Sequence, residues 1–326
     1  MHADLKSAVF KYAAVPVRMN VKEGMTVSIL TDTKIDPVIQ EALMAAVKEQ
    51  QATPVMITIA PLASFGNEPP EAAAAAILKT DFVITACSTA MTHTDAVRAA
   101  LEKGIPMLAM GGITVDSLTQ GASTADYDLV LKITEQIADM LENSSVIKVT
   151  SRNGTNVTFS VTGRPAIRIS GYVDKISNIA SFPGGEVATA PVEGTANGTI
   201  VVDGSMHHVG KIENPIVFTV KDGKVFKIEG KAEAEKLRRF LDANGDENSF
   251  NLAEFAFGTN PSARLTADSQ ESKRKLGTIH FAIGDNRTLG GHTYSKTHLD
   301  GLLLEPSVWI DGMMVLDNGK FALDIG

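Results

Sequence analysis

The feature that most constrains the fold is a change of period. Up to about residue 145, short β-rich runs alternate with alanine-rich helical stretches. From Val146 onward the apolar residues recur at every second position. The first pattern predicts a parallel sheet with crossover helices, and the second a mainly antiparallel β domain. The expected class is therefore α/β. A Rossmann-like open parallel sheet domain (residues 1–145) precedes a β-rich metal-binding domain (residues 146–326), with the boundary near Asn143-Ser144-Ser145.

In the first half, strands are predicted at Val27–Leu30, Val55–Ile59, Phe82–Ala86 and Pro106–Met110. Helices are predicted at Pro37–Gln50, with Asp36 as N-cap, then at Glu71–Leu78, Thr92–Lys103 and Thr124–Glu142. Parallel sheets bind ligands at the carboxyl ends of their strands, which here read Thr31-Asp32-Thr33, Ser88-Thr89 and Gly111-Gly112. Neither a Gly-x-Gly-x-x-Gly after the first strand nor a P-loop is present, so no nucleotide site is expected. His93 reads as a polar residue at a helix start.

Charge narrows the partners. A net charge of -8 argues against nucleic acid, which needs a basic surface. No apolar run approaches the ~20 residues of a membrane span. The first residues lack the basic-then-apolar order of a secretion signal, and a cytoplasmic protein is the simplest expectation. The single cysteine, Cys87, excludes an intrachain disulfide and a multi-cysteine metal site, and reads as a packed residue.

In the second half, Asp242 to Asn248 has the look of a calcium loop. Its glycine is misplaced, however, and its twelfth position is Ala253 where a bidentate Glu is required. It reads as a polar loop ending the helix Ala232–Leu241. His207-His208 and His292 read as surface and turn residues.

Four apolar, strand-like segments each carry residues able to ligate a metal. They hold Glu186, Glu254, His280, and the pair His298 and Asp300. His298 and Asp300 stand two apart and so share a face of an extended chain. The residue two beyond each of the first three is alanine: Ala188, Ala256 and Ala282. Around Glu254 and His280 the alternate positions are Phe255, Phe257, Ile279, Phe281 and Ile283. Bulky residues thus pack on one face, and the charged face stays small enough for an ion and a substrate. Glu186, Glu254 and Asp300 carry three negative charges, and the two histidines are neutral ligands. Two divalent ions leave +1, which a bridging hydroxide neutralises. That count favours a two-metal hydrolytic site, and the N/O donors suit Zn, Co or Mn.

These blocks resemble a known family. Ala180 to Pro191, with Pro183-Gly184-Gly185-Glu186-Val187-Ala188-Thr189-Ala190-Pro191, is similar to the signature of the aminopeptidase T/thermophilic leucyl aminopeptidase family. Leu-Ala-Glu254-Phe-Ala-Phe-Gly, His280-Phe-Ala-Ile-Gly and Thr-His298-Leu-Asp300 follow in the family's order. The resemblance implies a homodimeric dinuclear metallo-aminopeptidase that cleaves an amide-type bond in a small molecule or short peptide. All five residues would be metal ligands, and Glu186 or Glu254 would also move a proton. The family's tyrosine, seven residues after His280, is here Arg287. Arg287 and Lys296 would then stabilise the oxyanion or hold a substrate carboxylate, and Tyr294 is a candidate replacement for the tyrosine. A second branch of this superfamily is 2,5-dihydroxypyridine 5,6-dioxygenase, which holds one Fe(II) with two His and one Asp. It shares the His-Leu-Asp block, but its other His aligns with Glu254 and its strand lacks a His at the position of His280. The hydrolase is thus the leading expectation, and a mononuclear ring-cleaving oxygenase using His280, His298 and Asp300 is the alternative.

Overall fold

The computed structural model describes residues 2–63, 67–92, 94–176, 178–266, 269–322 and 325. The fold is mixed α/β, with an N-terminal parallel sheet and antiparallel β-rich sheets, as the change of period implies. Two units are present: Met1–Tyr127 with Ile169–Gly184, and Asp128–Arg168 with Gly185–Gly326. The chain therefore passes between the units more than once, and not at a single point near Asn143.

The first unit holds five parallel strands in the order Thr53–Ile59, Thr26–Asp32, Phe82–Ala86, Met107–Ala109 and Ile179–Ser181. Every residue of Phe82–Ala86 is buried, as befits a central strand covered on both faces. The helix Pro37–Glu49 starts where expected, with the Asp36 carboxylate accepting from the Val38 N–H at 3.0 Å. A helix at Ala3–Asn20 was not predicted. Its buried stripe of Val9, Ala13 and Val17 falls on one face at helical spacing, and Pro16 interrupts the pattern. At the strand ends, Asp32 is buried but satisfied. It accepts from the Ser88 N–H at 2.7 Å, the Ser88 hydroxyl at 2.8 Å and the Lys34 N–H at 2.9 Å. Burial, and then the Asp32 charge, push the Cys87 thiol up to about 12, so it is a packed residue and not a nucleophile. His93 lies outside the described residues.

The second unit contains an eight-stranded and a seven-stranded sheet. Val149, Val157 and Phe159 of the larger sheet share one core with Phe255, Phe257, Ile279 and Phe281 of the smaller. Ile133, Ile137 and Leu141 of the helix Tyr127–Glu142 join it. Phe159 lies 5.3 Å from Phe255 and 5.7 Å from Phe281, ring centre to ring centre. Each such ring contributes roughly 2–3 kcal/mol by burial, so this core fixes the smaller sheet firmly. Gly245, left-handed at φ 57, ends the helix Ala232–Asn244, and Asp246 then caps the next turn. That is a helix-ending loop. Among the described residues, no helix is long and apolar enough to cross a membrane.

Candidate metal centre

Four neighbouring strands of the smaller sheet build the centre: Glu186–Thr189, Leu252–Gly258, Ile279–Gly284 and His298–Leu303. They pair antiparallel in that order. The register sets Glu186 opposite Gly258, and Ala256 opposite both Ala188 and His280. It also sets Ala282 opposite both Glu254 and Asp300, and His298 opposite Gly284. Directly paired residues project to the same face. Glu186, Glu254, His280, His298 and Asp300 therefore share one face, interleaved with alanine and glycine. The opposite face is the phenylalanine core. The register shifts between Leu252 and Glu254, a bulge that re-aims the strand immediately before the glutamate.

Glu254 joins two halves. Its Oε1 lies 3.2 Å from His280 Nε2, and its Oε2 lies 2.7 Å from His298 Nε2. Glu186 Oε1 lies 3.5 Å from His280 Nε2, and Asp300 Oδ1 lies 3.2 Å from His298 Nε2. Two groups are compact enough to hold an ion: Glu186, Glu254 and His280, and Glu254, His298 and Asp300. Within each, one donor atom per residue lies within 4.8 Å of the others. His280 and His298 fall in different groups, so the triad of His280, His298 and Asp300 is not assembled as expected.

The donors fit a divalent cation. His280 Nδ1 is buried without a hydrogen-bond partner, and Glu186 Oε2 and Asp300 Oδ1 have only ion-pair contacts, with Lys273 Nζ at 3.4 Å and His298 Nε2 at 3.2 Å. A buried polar atom left wholly unpaired costs about 1–3 kcal/mol. The His298 Nδ1 lies 2.8 Å from the Asp285 carbonyl oxygen. A carbonyl only accepts, so Nδ1 carries a hydrogen and Nε2 faces Glu254 and Asp300, which is the arrangement of a metal-ligating histidine. Burial opposes positive charge on His298, but Asp300 and Glu254 outweigh it and hold its pKa well above the usual value. A position that favours a proton so strongly also favours a cation. Burial would raise the Asp300 and Glu254 carboxyls. Lys273, with His298 and His207, holds Asp300 well below its ordinary range, and His280 and His298 do the same for Glu254.

Lys273 was missed by sequence reading. Its Nζ lies 3.0 Å from Asp300 Oδ2 and 3.4 Å from Glu186 Oε2, with the side chain only 13% exposed. Burial alone would lower its pKa, yet Asp300, Glu186 and Glu254 hold it above the ordinary lysine range. His207 was read as a surface residue, and the structure corrects this. Its N–H donates to the Asp300 carbonyl at 2.9 Å, and its Nε2 lies 3.2 Å from the Gln270 side-chain nitrogen. Burial keeps the His207 pKa below the usual value, partly offset by Asp300. His208 is exposed and stacks on Phe240 at 4.1 Å.

Arg287 and Lys296 make their described contacts outside the two donor groups. Arg287 pairs with Asp285 at 2.9 Å and sits 4.4 Å over the exposed Tyr294 ring. The Lys296 side chain is exposed, and its N–H donates to Asp246 at 2.8 Å. Both belong to the segment leading into His298. That segment is anchored by Glu193, which pairs with Arg164 and accepts from Asn286 at 2.9 Å and from the His292 N–H at 2.8 Å. Burial opposes the Glu193 charge, but these donors prevail and hold its carboxyl at about 2. The exposed His292 thus serves through its backbone.

Together these features define an α/β protein with a candidate metal centre on one face of an antiparallel sheet. The sequence profile of the 2,5-dihydroxypyridine 5,6-dioxygenase (NicX) family matches residues 10–323, and the chain belongs to that family. It is 26% identical over 194 residues to the 2,5-dihydroxypyridine 5,6-dioxygenase of Pseudomonas putida KT2440. That alignment spans 54% of this chain and 54% of the relative, about half of each. Among solved structures, the 2,5-dihydroxypyridine dioxygenase from P. putida KT2440 superposes with a TM-score of 0.87 at 20% identity, covering 98% of both chains. Wild-type AmpT from Thermus thermophilus superposes at 0.72 with 16% identity, covering 98% of this chain and all of that one.

The family match overturns the hydrolase expectation and, with it, the assignment to the aminopeptidases. The physical reason is that the fold alone does not decide the chemistry: it superposes on both the dihydroxypyridine dioxygenase and AmpT. The charge count that favoured hydrolysis also left out the Lys273 ammonium.

Proposed function

We propose that the chain is a metal-dependent ring-cleaving dioxygenase acting on a dihydroxypyridine-type substrate. The family match across residues 10–323 carries this reading. Glu254, His298 and Asp300 would hold one Fe(II), an ion compatible with their nitrogen and oxygen donors. When bound, ferrous iron supplies the one-electron chemistry by which dioxygen can react with a closed-shell aromatic ring.

The chain's own residues contribute position and charge. The Asp285 carbonyl fixes the tautomer and ring orientation of His298. The His298 side chain is 29% exposed, so this group has an open side toward which a small planar molecule can approach. Ala282, between Glu254 and Asp300, keeps the floor low beneath it. Lys273 neutralises part of the carboxylate charge that would otherwise repel an anionic, hydroxylated ring.

The test is oxygen uptake by anaerobically Fe(II)-loaded protein after addition of 2,5-dihydroxypyridine, together with loss of the ring's absorbance. Uptake coupled to ring loss supports the reading. Ring persistence with Fe(II) bound sinks it.

A further inference from the structure

We propose that Lys273 is a built-in cation of the cluster, and that its ammonium limits the cluster to one divalent ion. The inference rests on the metal-site reading above and deepens it. The two donor groups resemble a pair of ion sites sharing Glu254. A second metal ion would need the negative charge of both outer carboxylates, Glu186 and Asp300. The Lys273 Nζ already contacts both, at 3.4 Å and 3.0 Å. Its side chain is largely buried, and it reaches one carboxylate from each group.

Charge then closes at one ion. Glu186, Glu254 and Asp300 contribute -3, Lys273 contributes +1, and a single divalent ion brings the cluster to zero. A second divalent ion would leave +2 on a face where Glu186, Glu254, His280 and Asp300 are buried, a heavy desolvation burden. The two groups also differ in access. The His298 side chain is 29% exposed, whereas His280 is fully buried and Glu186 nearly so. A catalytic ion needs an open side, so the single ion belongs with Glu254, His298 and Asp300. Glu186 and His280, with Lys273, form a polar floor beside it. Lys273 is thus a positioning residue, acting through the two carboxylates and not on substrate.

The experiment counts ions by equilibrium dialysis of metal-stripped protein against Co(II), with elemental analysis. Wild type is expected to hold one Co(II) per chain. Lys273→Met, which leaves three carboxylates uncompensated, is expected to hold two. Lys273→Met combined with Glu186→Gln restores the balance and is expected to return to one. Two Co(II) in the wild type overturn the proposal without requiring any variant to fold. One Co(II) in a folded Lys273→Met also overturns it. A purely structural lysine would alter melting temperature in both variants without this one-two-one pattern. Oxygen uptake on 2,5-dihydroxypyridine is scored separately, and its absence sinks the proposed reaction while the ion count still decides the role of Lys273.

Discussion

The two donor groups that share Glu254 are made of similar residues but sit in different surroundings. In the outer group, His298 has its Nδ1 tied to a backbone carbonyl and its Nε2 turned toward two carboxylates, and it retains some exposure. In the inner group, His280 is fully buried and its Nδ1 has no hydrogen-bond partner. The outer histidine is therefore oriented for one tautomer, and the inner one is held mainly by packing and by Glu254 and Glu186. Similar side chains on one sheet face thus differ here in access and in orientation.

The strongest way to break the comparison is to remove what the groups share. Glu254→Ala should abolish Co(II) retention and lower turnover by roughly a thousandfold or more, about 4 kcal/mol in barrier. Retained turnover would place the chemistry away from this sheet. His298→Ala strikes the outer group alone and should cost activity on the order of a hundredfold, with much weaker Co(II) affinity read by dialysis. His280→Gln strikes the inner group alone. It should keep one bound Co(II), lower turnover by about tenfold or less, and cost about 1–3 kcal/mol in urea unfolding. Equal losses of metal from the two histidine variants would erase the distinction.

The smallest effect on activity is expected at Glu193, which touches neither group. Its carboxyl is held at about 2 against an ordinary value of 4.5. A depressed pKa contributes stability above the unfolded value that is lost as pH falls through the folded one. Wild type should therefore lose an advantage of about 3 kcal/mol over Glu193→Gln as the pH falls from 4.5 toward and below 2, while near neutrality the two differ most. Urea titrations at several pH values check this, and a difference that does not shrink in acid would remove Glu193's charge from the account.

Much of this was legible in the sequence, for local reasons. A strand of period two writes both its faces into consecutive letters, so Glu254 and His280 stood out against Phe255, Phe257, Ile279 and Phe281. The four segments do meet as neighbours, with the alanines lying between the charged side chains. What was not legible depends on long-range placement. Lys273 follows the short helical turn Ser269–Ser272 and precedes the His280 strand, outside any periodic run. His207 reaches the site through a pairing of Met206 with Gly301, which nothing local announces. Ile179–Ser181 is too short to show a period, yet it completes the parallel sheet. The division of five donors into two groups depends on which way the carboxylate of Glu254 points, and no spacing rule encodes that.

The alanine and glycine rows have a consequence for how such a site can diverge. Gly258 faces Glu186 across the ladder, and a methyl group there would meet the Lys275 carbonyl oxygen at 2.1 Å. Ala188, Ala256 and Ala282 are fully buried and one methyl from bare backbone. Such a floor has almost no room left to be lowered. Change at the alanines can run only toward larger side chains, whereas Gly258 is closed even to that by the Lys275 backbone. A roomier pocket must come from the segments that border the face, such as the one between Asp285 and His298.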